Sequence, residues 1–440
     1  MRAKFRMGYD RLSRLSPFLI SMAMLLASCA GEPPIIPSSP PANARLGPTL
    51  ELLSIKTATD HIYTLTDRQG NAHVFIAAAN TKEIYHVVVG ADNSVQREII
   101  VSGSSPSSVS AAFDAGYNLH LLLDKKHLVF EGSEWKASPD TPWEVAGINV
   151  HTPKLVQGSK GLVWSFLVDG KEVGAQGRWD WYGFGGGPAG ILFPWHATSK
   201  KLVIVPEAAM AEPPWYVVDP QDSFDISDAM LATDNNDNLY IFYDASSSGL
   251  AAERQPRYAQ IYPMVPPTHT DRDKPVNMAG NKHLLSVRGQ PVPGGLKRSD
   301  LNQSVMAIDP ETGTMLLVRA HDSSLVLKNG KWSLPQRLPL SRFWEPRLAT
   351  AGQDDFHAMM LGTAVPEEWW KDASSVLYLR FNQGTWSAPV ILGQAEVSSI
   401  WGSMWAALGI ASNGSNRVFI VWPTKTAIVG RWVDDVIERK

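Results

Sequence analysis

The stretch KNGKWSLPQ, Lys328 to Gln336, returns as FNQGTWSAPV, Phe381 to Val390, with the two glycines 54 residues apart. Each copy contains a Gly, one further residue, a Trp, a Ser, an apolar residue and a Pro. Glycine readily adopts the positive φ that a tight turn needs, and the Trp stands where a strand would begin. The repeated turn therefore predicts two successive copies of one β-rich unit.

A second repeated element lies upstream of these turns, and it consists of a turn rich in Asp, Asn and Gly followed by a short apolar strand. A strand also precedes each turn, as SVMAI does before Asp309, so each element predicts a β-hairpin. The next Trp follows four of the turns at 16 to 19 residues, at Trp135, Trp179, Trp332 and Trp432. Trp386 comes later because VPEEWWKDASS is inserted. The seven turns end at Asn71, Asn118, Gly161, Asn238, Gly313, Asp355 and Asn416.

Each unit thus contains four strands, with two tight turns at one end. A unit of about 40 to 50 residues cannot bury both faces alone, and repetition around an axis lets each sheet pack on the next. We therefore predict an all-β fold, a β-propeller with seven four-stranded blades. Six blades result if Gly161 is misassigned, and eight if residues 200–215 form another unit. Leu50 to Ile55 is predicted to join the last blade and close the ring. A pair of β-sandwiches is the alternative, which the nearly constant distance from turn to Trp disfavours.

The turns GSEW, GRW, GKW and GTW resemble the Asp-box of sialidase-like propellers, also called BNR repeats, whose motif is Ser-x-Asp-x-Gly-x-x-Trp. Only GSEW at 132–135 keeps the Gly-x-x-Trp spacing, and Lys328 and Asn382 stand where the box has its Asp. The resemblance implies the propeller fold. A sialidase also needs a three-arginine clamp, a Tyr–Glu pair and an Asp acid. Arg68 and Arg97 in the first unit lie in other sequence contexts, so the resemblance does not extend to sialidase activity.

The first 28 residues predict an export signal, because the basic stretch MRAKFRMGYDRLSRLSP precedes an apolar run too short to span a bilayer. Leu26 to Cys29, LASC, resembles the lipobox of bacterial lipoproteins, which implies cleavage before Cys29 and acylation of its thiol, with palmitate among the acyl chains. Cys29 is the only cysteine. In bacterial lipoproteins the residue after the lipidated Cys influences sorting, and Ala30, which is not Asp, resembles the residue at this position in those sorted to the outer membrane. A plain secretory signal is the alternative.

These segments divide the chain into three parts. Residues 1–28 are the predicted signal peptide, residues 29–47 are the lipidated Cys with a Pro-rich tether, and residues 48–440 are a single propeller domain. The prolines favour an extended tether. Acyl chains contribute roughly 0.8 kcal/mol per buried methylene, so the predicted partner at this end is the membrane.

The composition disfavours several other partners. The chain has 40 basic and 43 acidic residues, and the leader holds five of the former and one of the latter, so the mature chain has seven more acidic than basic side chains. No Lys/Arg-rich run remains, and nucleic-acid binding is not predicted. The eleven histidines lack metal-ligand spacing. GGGPAG at 185–190 precedes no helix, and DNNDN at 234–238 lacks the Gly and Glu of a calcium loop. No cofactor and no metal are predicted, and the oligomeric state is left open.

If the tight turns share one end of the propeller, the irregular loops share the other, and these loops are rich in Trp, Arg and acidic residues. Exposed aromatic rings suit sugar stacking or protein contact, although they also serve to pack long loops onto a scaffold. Two carboxylates facing across a mouth could act as acid and base. The candidate catalytic residues are Asp180, Glu345 and Glu367. The candidate ligand-binding residues are Trp181, Trp344, Trp369, Trp370, Trp401, Trp405, Arg254, Arg257 and Arg347.

The sequence therefore predicts a lipid-anchored propeller of the bacterial envelope that binds a glycan or an envelope protein through its Trp-rich loops. One alternative is a carbohydrate-active enzyme, a glycoside hydrolase or lyase, that uses carboxylates in the propeller mouth. Another is a scaffold of an outer-membrane assembly complex. Whether the domain faces the periplasm or the cell surface is left open.

Overall fold

The computed structural model is built almost entirely of antiparallel sheets, arranged as the seven blades of a β-propeller. Residues Ser39–Lys440 form one compact unit. The structure describes residues 44–54, 59–78, 81–103, 106, 108–139, 141–158, 161–169, 178–181, 194–197, 200–207, 215–218, 225–246, 254–261, 276–277, 283–293, 304–319, 323–340, 342–363, 374–400, 403–405, 407–414 and 417–435.

The chain begins with two strands that belong to the last blade, β1 (Ala44–Leu46) and β2 (Leu50–Leu53). Blades 1 and 2 follow as simple four-stranded meanders. A short helix, α1 (Pro142–Ala146), then leads to blade 3, and the Oγ of Thr141 caps it by accepting the backbone N–H of Glu144. The strands are β3 (Thr59–Thr66), β4 (Ala72–Ala78), β5 (Glu83–Val89) and β6 (Val95–Ser102) in blade 1, and β7 (Val109–Phe113), β8 (Leu119–Leu123), β9 (Lys126–Glu131) and β10 (Glu134–Ala137) in blade 2.

Blade 3 is enlarged by a hairpin inserted between its second and third strands. Its own strands are β11 (His151–Gly158), β12 (Gly161–Asp169), β15 (Lys200–Pro206) and β16 (Trp215–Val218), and the hairpin is β13 (Arg178–Trp181) with β14 (Pro194–Ala197). Blade 4 contains β17 (Asp225–Thr233), β18 (Leu239–Ser246), β19 (Arg254–Ile261) and, as its outer strand, β22 (Gln290–Pro291). Between β19 and β22 the chain returns to the outer edge of blade 3 as β20 (Val276–Asn277) and β21 (His283–Val287), and β21 pairs parallel to β16.

Blades 5 and 6 carry the repeat quoted at the outset, and in both the outer strand is divided into two short pieces. Blade 5 contains β23 (Val305–Ile308), β24 (Met315–Val318), β25 (Ser323–Lys328), β26 (Lys331–Trp332) and β27 (Gln336–Arg337). Blade 6 contains β28 (Arg342–Gly352), β29 (Asp355–Thr363), β30 (Ser375–Asn382), β31 (Thr385–Trp386) and β32 (Val390–Gln394).

Blade 7 is completed by both ends of the chain. After the hairpin β33 (Ser398–Ile400) and β34 (Ser403–Trp405), it contains β35 (Gly409–Ser412), β36 (Arg417–Pro423) and β37 (Ile428–Asp435). Its outer position is filled by β1 and β2, which pair with β37. The predicted closing strand is thereby confirmed at Leu50–Leu53. The strand β1 also joins this sheet, although Ala44–Leu46 lies inside the stretch assigned above to the tether.

The hydrophobic core lies between neighbouring blades. The first strands of the blades are innermost and contact one another around a closed ring, so that β35 meets both β28 and β3. Across the closure, Val74 and Val87 of blade 1 pack with Phe419 and Trp432 of blade 7. Burying such side chains contributes about 1.5–3 kcal/mol each, so closing the ring is favoured by the same apolar contacts that join the other blades.

All seven predicted turns join the first and second strands of a blade, which confirms the seven-blade prediction. The physical basis is clearest in blades 1, 2 and 4, where an Asp at the start of the turn accepts two bonds from the Asn at its end. Asp67 Oδ1 and Oδ2 accept the backbone N–H and the Nδ2–H of Asn71, both at 2.8 Å. Asp114 and Asp234 repeat the arrangement. The turn is therefore fixed by its own five residues.

The repeated Gly-x-Trp-Ser-x-Pro turn joins the third and fourth strands of blades 5 and 6. Asn329 and Gly330 have φ of 51° and 72°, as a two-residue hairpin loop of the type I′ class requires. In blade 5, Ser333 Oγ accepts the backbone N–H of Val326 at 2.9 Å. In blade 6, Ser387 Oγ accepts the N–H of Arg380 at 3.0 Å. The Ser thus replaces a sheet hydrogen bond just before Pro divides the outer strand, which explains why the motif is written twice.

In blades 2, 5 and 6, a tryptophan at the start of the outer strand joins the blade to the one before it. Trp386 Nε1 donates to Ser324 Oγ of blade 5 at 2.9 Å, and Trp135 Nε1 donates to Glu98 of blade 1 at 2.9 Å. Trp332 packs edge-on against Tyr258 of blade 4. These residues therefore cover the edges between blades, as the sequence predicted.

Two of the sequence assignments were wrong. Trp179 lies in β13, because a hairpin is inserted before the third strand of blade 3. Trp432 lies in β37, the third strand of blade 7, because the N-terminal strands take the outer position. The alternative of an eighth blade does not apply, since Lys200–Pro206 and Trp215–Val218 are the third and fourth strands of blade 3.

Candidate functional site

The strand order places different connections at the two edges of the propeller. The turns between the first and second strands and between the third and fourth strands of a blade lie on one edge. The connections between the second and third strands, and those between blades, lie on the other edge, which we call the loop face. The first strand of every blade begins on the loop face. Residues near the start of these innermost strands therefore lie where the ring opens toward the variable loops.

Glu345 lies in such a position, near the start of β28, the innermost strand of blade 6. The pairing of β28 with β29 slips between Trp344 and Arg347, which marks a β-bulge at Glu345 and Pro346. Glu345 has a φ of 49°. That conformation is uncommon for a residue other than glycine, and a following proline normally keeps its predecessor extended. Holding Glu345 in this way costs on the order of 1–3 kcal/mol.

The carboxyl group of Glu345 is largely withdrawn from water and has a cationic partner. The residue is 8% exposed, and Arg347 Nη2 donates to its Oε2 at 3.2 Å. Burial raises the pKa of Glu345 above its ordinary value, although the charge and hydrogen bond of Arg347 act in the opposite direction. The Arg347 side chain is 38% exposed, so it connects the buried carboxyl group with the surface. Such a pair can bind hydroxyl groups, and an acid with a raised pKa can also donate a proton.

The sequence placed Glu345 and Arg347 in a variable loop, whereas the structure places both in a strand that lines the ring. Trp344 is only 4% exposed, and it packs with Met359 and Leu361 of β29 and with Leu408 near blade 7. The exposed ring expected at Trp344 is therefore wrong, and this residue belongs to the core between blades 6 and 7.

The other predicted site residues are distributed over several blades. Arg257 lies in β19 of blade 4, and its Nη1 donates to the carbonyl of Gly289 at 3.3 Å. Asp180 and Trp181 lie in β13, Arg254 opens β19, and Trp405 ends β34, and for these four the structure describes the backbone. The predicted residues outside the described part of the chain are Cys29, Glu367, Trp369, Trp370 and Trp401.

The bulge at Glu345 was not predicted from the sequence. Its signal is Pro346, because a proline inside an otherwise regular strand pattern indicates a break in the hydrogen-bond ladder. Within the described residues, no three His, Cys, Asp or Glu side chains are grouped so as to hold a metal ion. No helix in this described part is long and apolar enough to cross a membrane.

These observations define the class of the molecule, a seven-bladed β-propeller in which a buried Glu345 pairs with the partly exposed Arg347 at a bulge in the innermost strand of blade 6. No protein-family model and no curated protein sequence matches the chain.

Several solved structures are similar to it at the level of the fold. A protein of unknown function from Dyadobacter fermentans has a TM-score of 0.45 and 8% identity, covering 90% of this chain and 100% of that chain. An alpha-L-arabinanase of Penicillium chrysogenum, solved with arabinobiose, has a TM-score of 0.43 and 10% identity, covering 90% and 99%. A Hadza microbial sialidase has a TM-score of 0.40 and 9% identity, covering 84% and 74%. The assignment of the fold rests on the sheets themselves.

Proposed function

We propose that this chain is a lipid-anchored β-propeller of the bacterial envelope that binds a glycan on its loop face, with Glu345 and Arg347 in the binding site. The observation that carries the proposal is the buried carboxyl group of Glu345, which is held at a positive φ on the innermost strand. Strained backbone of this kind concentrates at functional sites.

The chemistry of the pair suits a carbohydrate. Ligand sites combine apolar surface with a few well-placed polar groups, and a carboxylate beside a guanidinium offers acceptors and donors in fixed directions. Two Trp-rich stretches adjoin blade 6 in sequence, since Trp369 and Trp370 follow β29, and Trp401 and Trp405 lie between blades 6 and 7. Their rings are the surfaces on which we propose that sugars stack.

A glycan array probed with the mature protein, followed by calorimetry of the strongest hits, tests this proposal. Glu345→Gln and Arg347→Gln are each expected to weaken binding at least tenfold, which corresponds to about 1.4 kcal/mol. Glu131→Gln is the matched control, because Glu131 also pairs with a cation, Lys136 at 2.9 Å, but lies on the opposite edge. If a glycan binds all three variants as tightly as the parent, its site does not include Glu345 or Arg347, and the proposal is contradicted. A blank array, together with an envelope protein recovered in a pull-down, would favour the assembly scaffold instead.

A second candidate function is hydrolysis of the bound glycan, with Glu345 as the proton donor. The raised pKa of Glu345, caused by burial, is the observation that favours it, since a general acid must stay protonated near the working pH. Hydrolysis also requires a second carboxylate, for which Asp180 and Glu367 are the candidates from sequence. Incubating the bound glycans and measuring new reducing ends separates the two functions. In an enzyme, Glu345→Gln abolishes turnover while binding persists, whereas a binding module releases no reducing ends with either form.

A further inference from the structure

The bulge at Glu345 has a counterpart in blade 3. The innermost strand of blade 3 begins His151-Thr152-Pro153-Lys154-Leu155, and that of blade 6 contains Trp344-Glu345-Pro346-Arg347-Leu348. In both, a polar residue precedes a Pro, and a basic residue and a Leu follow. The two five-residue segments lie on the same strand of their blades and near the same, loop-face end.

The backbone geometry of the two segments is also the same. Thr152 has a φ of 42° and Glu345 a φ of 49°. The pairing of β11 with β12 slips between His151 and Lys154, as that of β28 with β29 slips between Trp344 and Arg347. Pro153 and Pro346 are both buried. Blade 3 therefore contains a second bulge of the same construction.

Neither bulge uses the residue that would make it least strained. Glycine adopts a positive φ freely, and Gly330 and Gly384 do so in hairpin turns, where Asn329 and Gln383 beside them take the same region. A β-branched residue such as Thr152 is among the least suited to this conformation. A side chain retained at the expense of strain indicates that the side chain itself has a role, and Thr152 is exposed to solvent.

The basic residue of each segment holds its bulge in a different way. Arg347 bonds to Glu345 within its own blade, whereas Lys154 Nζ donates to the carbonyl of Ala229, at 2.8 Å, on the innermost strand of blade 4. The blade 3 bulge is thus attached to the neighbouring blade. This bond fixes the backbone of the bulge that carries the exposed Thr152 hydroxyl.

The positions of the two blades set the size of a ligand that touches both bulges. Blades 3 and 6 are separated by two blades on one side of the ring and three on the other. Sheets packed face to face lie about 10 Å apart, so seven of them form a ring with a mean diameter of roughly 20 Å. The two bulges lie on nearly opposite sides of the opening, on innermost strands that form a narrower ring than this mean, and we infer that an extended chain of sugars spans them.

We propose that the Thr152 bulge is a second contact point of the glycan site, so that the ligand is an oligosaccharide chain lying across the mouth of the ring. This inference rests on the proposed function and adds the ligand's size and a specificity-determining residue. The Thr152 hydroxyl and the Glu345–Arg347 pair then contact different sugar units of one chain.

Calorimetric titration with oligomers of β-1,4-glucan, α-1,4-glucan, α-1,5-arabinan and chitin, each from the monosaccharide to the hexasaccharide, tests the inference. For the series that binds, the affinity of the parent protein is expected to rise with chain length. Thr152→Val keeps the shape but loses the hydroxyl, and is expected to weaken hexasaccharide binding about tenfold. Thr152→Ser keeps the hydroxyl and is expected to stay within about twofold. Thr385→Val, at an exposed threonine that begins β31 on the opposite edge of the propeller, is the control that should leave binding unchanged.

Thr152→Gly separates a functional from a merely structural role. Relief of the strain predicts an unfolding temperature equal to or above that of the parent, together with the same loss of hexasaccharide binding. Full hexasaccharide binding by Thr152→Val and Thr152→Gly, with binding lost in Glu345→Gln, would overturn the second contact and leave the proposed function intact. Equal affinities for monosaccharide and hexasaccharide would also overturn it. If the parent binds no member of any series, both proposals fail.

Discussion

A buried histidine pair in blade 2 makes the stability of the propeller sensitive to acid in a way that can be calculated. His120 of β8 and His127 of β9 stack with their ring centroids 5.1 Å apart, and His120 Nδ1 lies 2.9 Å from His127 Nε2. His120 Nε2 lies 3.2 Å from Asp114 Oδ2. Because a carboxylate only accepts, His120 donates through Nε2 and therefore accepts the Nε2–H of His127 through Nδ1.

Burial, assisted by the charge of His120, lowers the pKa of His127 from 6.5 to about 4. As the pH falls below 6.5, the unfolded chain takes up this proton before the folded protein does, so the contribution to stability is complete above 6.5 and is lost as the pH falls toward 4. Between about pH 7.5 and about pH 5 the loss amounts to about 2 kcal/mol. That is a large part of the stability of an ordinary domain, which is about 5–15 kcal/mol.

Urea denaturation of the parent and of His127→Gln at these two pH values measures the effect. Glutamine offers an amide N–H that can donate to His120 Nδ1, but it does not titrate. We expect the parent to lose about 2 kcal/mol more than the variant when the pH is lowered. Leu128→Ala, in the same strand, is the control, because it destabilises the protein by a cavity at both pH values alike. Equal pH dependence of the parent and His127→Gln would refute the reasoning.

Three further outcomes are expected. Trp386→Phe removes the hydrogen bond to Ser324 and leaves a cavity, so urea denaturation should show a loss of about 2 kcal/mol or more, and an unchanged midpoint would contradict the proposed joining of blades 5 and 6. Deletion of residues 44–53 removes β1 and β2, which cover the outer edge of β37, so the purified protein should lose its cooperative thermal transition or aggregate through the open edge. A monomer of parental stability would contradict closure by these strands. Cys29→Ala should abolish labelling by radioactive palmitate and move the protein from the membrane fraction to the soluble fraction, and retention in membranes without label would disprove the lipid anchor.

The candidate site was predictable only in its residue types. The acidic and basic side chains of WEPR marked Glu345 and Arg347, and both lie on the loop face, but the sequence pattern assigned them to an irregular loop. The bulge arises because Pro346 removes a donor from the ladder while β28 continues on both sides of it. Whether Trp344 is exposed to solvent or buried depends on residues of blade 7 that are more than fifty positions away in the sequence. No local sequence pattern carries that information.

By itself, the sequence predicted the position of every first turn, because the bonds that fix such a turn lie within it, as between Asp67 and Asn71. Seven blades followed as the preferred number, and the structure decided between seven and the alternatives of six and eight. It also determined the third-to-fourth turns of blades 5 and 6, where positive φ and a serine acceptor are local requirements. Only the tertiary structure decided which strand is outermost. Trp432 follows a turn-like Gly-Arg, but β1 and β2, from the other end of the chain, occupy the edge beyond it. A turn can be predicted locally because its hydrogen bonds form among its own residues. The outer strand of a sheet cannot, because its edge N–H and C=O groups pair with whichever strand the closed ring brings next to them.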